Sequence, residues 1–186
     1  MIENQKIQNI KKSDRFIPEP EYEEYVFHTC DFSNQDFSKI DFYDCEFIDC
    51  DLSMASVLNA AFKNVKFNNC KLLGVNFSDC NQFLLDLSFE SCQLNLASFY
   101  SLKLKEISFI DSNLTEVDFT EANLEGALFN NCDLTQAIFE NTILDRANFV
   151  TAFGYQLDPE LNYIRGAKFG LHDVAGLLSK YQIEIL

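Results

Sequence analysis

The chain has 186 residues, 29 acidic against 14 basic, for a formal net charge of −15; 47% of it is hydrophobic, with 19 Phe and only 3 Pro. That length allows one domain with a substantial core, while the charge argues against direct binding to nucleic acid and against basic attachment to a membrane surface, since both need Lys and Arg in excess. Met1 to Arg15 carry no apolar signal segment and no run of about 18 apolar residues occurs, so a soluble cytoplasmic protein is the expectation.

Residues 1–25 form an N-terminal segment with Pro18-Glu19-Pro20-Glu21 ahead of Tyr22-Glu23-Glu24-Tyr25. Proline and charge there can block strand addition to an open end, and a mobile tail is the alternative. From residue 26 a repeat of five takes over. Phe27, Phe32, Phe37, Phe42 and Phe47 lead to Leu52, Val57, Phe62, Phe67, Leu72 and Phe77, and the series resumes from Leu84 and Phe89 to Leu144 and Phe149. All 25 centres are Phe, Leu or Val, and 15 of the 19 Phe occupy them. A period of five matches neither a helix nor a plain strand. The residue two before each centre is small or apolar in most repeats, and the one between is often Asp, Asn or Ser. Two inward positions flank an outward one, and the remaining two residues turn a corner. The result is a many-cornered coil around stacked centres.

Cys30-Asp31-Phe32-Ser33, Cys50-Asp51-Leu52-Ser53, Ala122-Asn123-Leu124-Glu125 and Cys132-Asp133-Leu134-Thr135 resemble the A-(D/N)-L-X-X unit of pentapeptide-repeat proteins. The resemblance covers residues 26–152 and implies an all-β fold, a right-handed quadrilateral parallel β-helix with four repeats per coil. An interruption near 80–83 is read as two bulged residues, with Leu84 taking up the vacant side. One side then collects Phe27, Phe47, Phe67, Phe89, Phe109, Phe129 and Phe149; the opposite one collects Phe37, Val57, Phe77, Phe99, Phe119 and Phe139, and the other two are mostly Leu.

Residues 153–186 read as a cap. Ile164 to Phe169 resemble one returning repeat, Leu171, Val174, Leu177, Leu178 and Tyr181 have helical spacing over 171–181, and Gln182 to Leu186 read as a short strand. The stretches Tyr155 to Asn162 and Gly176 to Ile185 resemble the C-terminal region of the Qnr-like and microcin-immunity branch of the family. That resemblance implies a two-fold homodimer through the cap, with Leu177, Leu178, Ile183 and Ile185 at the contact. The plainer alternative is that these residues only cover the last coil.

Seven cysteines suggest metal or disulfides, but each lies two residues before a centre, or in that slot ahead of the interruption, and none forms a C-x-x-C pair. They read as small core residues in a reducing compartment. The two histidines, His28 and His172, stand almost the whole repeat region apart, and there is no G-x-G-x-x-G or P-loop. No catalytic, cofactor or metal residues are assigned, and the expectation is a non-enzymatic protein without a cofactor.

The outward positions remain. Between residues 106 and 145 there are nine acids and no base, and residues 31–51 hold seven acids against Lys39. Asp118, Glu121 and Glu140 fall on one side of the coil, with Glu116 and Asp133 on its neighbour. The Qnr-like resemblance implies that such an acidic rod imitates duplex DNA and binds the basic surface of a type II topoisomerase, DNA gyrase or topoisomerase IV, modulating it or protecting it from quinolones or peptide toxins. The relatives best known for quinolone resistance project long loops, and the two-residue break here weakens drug protection more than topoisomerase binding. The alternatives are an acidic surface serving solubility alone, or an interaction scaffold docking an unidentified partner on the outward Ile48, Ile110, Leu128 and Val150.

Overall fold

The computed structural model describes residues 5–14, 16 and 18–184. The five-residue period works as a corner device. In most repeats the carbonyl of the centre accepts from the amide three residues on, as with Gln35 N–H to Phe32 O at 2.9 Å and Ala55 N–H to Leu52 O at 3.0 Å. The residue two after the centre takes a positive φ, for example 61° at Asn34 and 56° at Asn59. That is the signature of a type II turn, which favours Gly or Asn at this position. Four corners close one coil of a right-handed quadrilateral parallel β-helix of about eight turns.

Continuous strands form on two sides. They are β1 Gln5–Gln8, β2 Glu21–Glu23, β3 Tyr25–His28, β4 Asp41–Tyr43, β5 Glu46–Ile48, β6 Ala61–Lys63, β7 Val65–Asn68, β8 Leu87–Glu90, β9 Ser108–Ile110, β10 Leu128–Asn130, β11 Asn148–Phe149 and β12 Lys168–Phe169. The first side is the nine-stranded parallel sheet β1-β3-β5-β7-β8-β9-β10-β11-β12, and β2-β4-β6 lie on the fourth. The second and third sides stack through single parallel bridges, such as Asn113 with Asp133 and Asp118 with Ile138. Partners lie 20 residues apart, as Phe47 with Phe67, except across the interruption, where Phe67 pairs with Phe89.

The core is a stack of rings. On the first side Phe27, Phe47, Phe67, Phe89, Phe109, Phe129, Phe149 and Phe169 lie nearly parallel, with successive centroids 4.5 to 5.4 Å apart. From Phe77 to Phe139 the third side repeats this at 5.0 to 5.4 Å. The two columns meet edge to face, as Phe99 with Phe109 at 5.7 Å. Such contacts add about 0.5–1.5 kcal/mol each beyond the area they bury.

Three expectations need correction. Leu84 does not enter the core. Asn81 still bridges to Ala61, and Asp86 N–H already bonds Phe62 O at 3.0 Å, so the chain loops out between them. Leu84 sits in that loop at φ 57° and is 56% exposed, while Leu85 packs against the core instead. The N-terminal segment is neither a tail nor a plain block: β1 extends the first side, β2 the fourth, and Tyr22 stacks on Phe42 at 5.5 Å. Phe16 packs 4.9 Å from Phe32 at the open end of the first coil. The third correction concerns the cap, where a 3₁₀ helix covers Val174–Tyr181 in place of a helix over 171–181. The carbonyl of Gly176 accepts from Leu157 N–H at 3.2 Å, and a β-carbon at Gly176 would overlap the Tyr155 carbonyl oxygen. Docking this tightly onto the last coil diverts helix carbonyls from the α pattern. Gln182 to Glu184 form no strand, and Ile185 and Leu186 lie outside the described residues.

The cysteines do more than fill space. At the cysteine-bearing corners where the first side turns into the second, and at Cys45 where the fourth turns into the first, the turn bond is missing and thiols supply donors. The sulfurs of Cys50, Cys70, Cys92 and Cys132 lie 3.3 to 3.4 Å from the carbonyl oxygens of Phe27, Phe47, Phe67 and Phe109 in the preceding coil. Cys45 meets Tyr22 O in the same way at 3.4 Å. All seven are buried and free, and burial pushes the Cys45 and Cys132 thiols up to about 11. Those two are protonated donors and poor nucleophiles at neutral pH.

Candidate functional site

The outward residues of the second and third sides follow from the repeat itself. The position before each centre and the two after it cannot point inward, so acids written there lie on the surface, in columns with one residue per coil. Bridges between Asn113 and Asp133 and between Asp118 and Ile138, with Glu121 N–H bonding Glu140 O at 2.8 Å, bring the stretch together over adjacent coils. Asp118 lies on the third side, Asp133 on the second and Glu116 at the corner between them at φ 58°, while Glu121, also at φ 58°, and Glu140 stand at the next corner, where the third side turns into the fourth. Glu116, Glu121 and Glu140 are exposed; Asp118 and Asp133 are half-buried.

Two of the five have local work. Asp118 Oδ1 accepts from Thr120 N–H at 2.9 Å, and Asp133 Oδ1 accepts from Thr135 N–H at 2.9 Å and its hydroxyl at 2.6 Å. These Asx turns brace the corner. Their second oxygens carry the charge outward. Glu121 Oε2 accepts from the Tyr100 hydroxyl at 3.1 Å, which raises the phenol above its ordinary value. None of the five belongs to an ion pair among the described residues.

Lys71 stands on the second side and pairs with none of these acids, and three paired bases lie elsewhere. On the fourth side Lys105 meets Glu125 at 2.5 Å, Arg146 bonds the same carboxylate, and Arg165 lies 3.5 Å from Asp145. Lys105 and Arg146 together hold the Glu125 carboxyl below the usual range. In the later coils, then, Glu125 and Asp145 are neutralised while the five acids are not. What the arrangement can use chemically is a local cluster of carboxylates over adjacent coils about 4.8 Å apart.

Other site assignments fare unevenly. Of the cap residues, Leu177 packs against the core, Leu178 and Ile183 are exposed, and Ile185 lies outside the described residues. Leu171, Val174 and Leu178 line an apolar hollow with Pro159. Ile48, Ile110 and Leu128 are half-buried, and only Val150 of that row is well exposed. His28 lies 2.8 Å from Thr29 Oγ1 and 3.6 Å from Asp49. Among the described residues no three His, Cys, Asp or Glu side chains converge as a metal site would require. The apolar corner residues Met54 and Leu96 were missed by reading centres and charges; their signal was a large side chain at a turn position that favours Asn or Gly.

Among solved structures the chain is similar to a trypsin-treated form of QnrB1, described as a plasmid-mediated fluoroquinolone resistance protein, at 18% identity over 99% of this chain and 100% of that one, with a TM-score of 0.61. Full-length QnrB1 aligns at 17% identity over 96% and 98%, with a TM-score of 0.54. HetL, a pentapeptide repeat protein involved in heterocyst differentiation regulation in the cyanobacterium Nostoc, aligns at 14% identity over 89% and 85%, with a TM-score of 0.45. Identities this low speak for the fold alone. No curated protein sequence matches the chain. A family model described as the pentapeptide repeat region matches residues 23–83 and 83–152. With its period, corners and stacked Phe columns accounted for, the chain belongs to the pentapeptide-repeat family.

Proposed function

We propose that the protein is a non-enzymatic cytoplasmic rod whose second and third sides stand in for duplex DNA on a type II topoisomerase, DNA gyrase first, and so modulate it or protect it from a quinolone or peptide toxin. The observation that carries this reading is the local cluster of carboxylates: Glu116, Asp118, Glu121, Asp133 and Glu140 face outward without ion-pair partners, while Lys105, Arg146 and Arg165 are paired with Glu125 and Asp145. A basic groove would be drawn to that cluster, and binding would weaken with salt. The fold shared with QnrB1, a fluoroquinolone resistance protein, supports testing a drug-target enzyme first. In a supercoiling assay at low salt, micromolar protein should alter gyrase activity, and Asp118→Lys with Glu140→Lys should abolish the effect. Unchanged supercoiling with the wild-type protein would sink mimicry.

The Asx turns of Asp118 and Asp133 favour a second reading, in which acidity serves corners and solubility and the rod is a scaffold for another partner. Capture of a partner that survives high salt and is lost in Ile110→Asp would support it. We also propose that two chains join end to end through the caps, since Leu171, Val174, Leu178 and Ile183 are exposed beyond the last coil. Sedimentation equilibrium should give a dimer that Leu178→Asp with Ile183→Asp splits; a wild-type monomer would refute this.

A further inference from the structure

The corner between the second and third sides carries a strip that folding does not explain. Its turn position, two after each centre, holds Asn34, Met54, Gly74, Leu96, Glu116 and Gln136 in successive coils, all with φ between 57° and 65°. Left-handed backbone suits Gly and Asn and disfavours large side chains. Met54 and Leu96 nevertheless stand there, 59% and 56% exposed, so they bear the conformational cost without the reward of burial. Gly74 lies between them, and a β-carbon there would come within 2.6 Å of the Met54 sulfur, so the thioether lies flat across the glycine. Leu73, whose carbonyl accepts from Met54 N–H at 2.8 Å, widens the strip and is exposed.

The strip runs directly into the acids. Leu96 N–H bonds Thr115 O at 3.1 Å, which sets Glu116 in the next coil, and the exposed Tyr100 donates to Glu121 Oε2 at 3.1 Å. Coils are about 4.8 Å apart, whereas an interface of ordinary size covers about 800 Å² on each partner. Anything seated on Glu116, Glu121 and Glu140 therefore also covers Leu96 and reaches Met54.

Resting on the proposed reading above, we infer that this corner is a two-part ridge and that its occupant is a protein groove with Lys or Arg along one stretch and an apolar floor in the next. Duplex DNA offers such a groove only charge. The apolar half of the ridge adds contacts that DNA lacks, and these survive salt that screens the acidic half. The strip thus favours a slow-dissociating protein contact, while the acids speed its formation.

The test is binding of purified DNA gyrase to the full chain, measured across a salt series, with two double variants. Met54→Asn with Leu96→Asn keeps the corner geometry, since Asn favours left-handed backbone, so its melting temperature should hold or rise. Its dissociation constant should rise by about tenfold or more through faster dissociation, with the salt slope unchanged. Glu121→Gln with Glu140→Gln should instead flatten the slope. Equal affinity of the Asn variant and the wild type, with binding lost in the Gln variant, overturns the apolar half and leaves the acidic reading standing. Absence of wild-type binding overturns both.

Discussion

Replacing Phe109 by Ala tests whether the ring column, and not general hydrophobicity, holds the coils in register. Phe109 is fully buried and touches four rings, Phe89 at 5.3 Å, Phe129 at 5.4 Å, Phe99 at 5.7 Å and Phe119 at 5.8 Å. Truncating a buried Phe costs about 3–5 kcal/mol. A domain of this size has about 5–15 kcal/mol in all, so the variant should lose about a fifth or more of its stability. Phe109→Leu separates the two contributions, because Leu keeps most of the apolar volume but none of the ring contacts at about 0.5–1.5 kcal/mol each. Its loss should be intermediate, about 2 kcal/mol. The control is Phe83→Ala in the loop, where the side chain is 75% exposed and truncation should stay within about 0.5 kcal/mol. Urea unfolding followed by circular dichroism reads all three. A Phe109→Ala loss under about 1.5 kcal/mol, or a Phe109→Leu variant as stable as the wild type, would refute the stacked-ring account.

Cys70→Ala leaves the Phe47 carbonyl without its thiol donor and should destabilise by about 1–3 kcal/mol, whereas Cys70→Ser retains a donor and should cost less in the same unfolding assay. Gly176→Ala should push the cap off the Tyr155 carbonyl, and limited proteolysis should then cut after residue 157 while the β-helix stays resistant. Hydrogen bonds from Ser33 and Ser38 hold Asp31 and Asp36 below the ordinary value. A depressed carboxyl contributes stability that is whole above its unfolded value near 3.8 and is lost as pH falls through the lower folded value. Thermal melts should therefore drop below about pH 4, and Ser33→Ala with Ser38→Ala should shrink that drop; an unchanged pH profile in the variant would exclude these bonds as its source.

The periodic part of the molecule was readable from sequence because each centre reports its own environment: a Phe or Leu every fifth residue leaves no other face to bury. The 22-residue step between Phe67 and Phe89 was readable for the same reason. Leu84 misled because identity says only that a residue is apolar, and Leu85 beside it was equally so; the backbone settled the choice by bonding Asp86 to Phe62. Strand β1 was hidden because Gln5–Gln8 holds one apolar residue, Ile7, and draws its pairing from the edge of β3. The thiol-to-carbonyl bonds and the Met54 to Leu96 strip depend on which corner a residue turns, and the five-residue pattern alone treats all four corners alike.

The loop between Asn81 and Asp86 adds two residues without shifting a single column on the far side. Length and content are therefore separable here: whole coils of 20 residues can be added or dropped like rungs of a ladder, and insertions at a corner hang outside it. A rod so divided is a ruler graded in steps of about 4.8 Å. Shortening it by one rung between Phe89 and Phe109 would move Met54 one step nearer to Glu121 and leave every remaining ring with a neighbour.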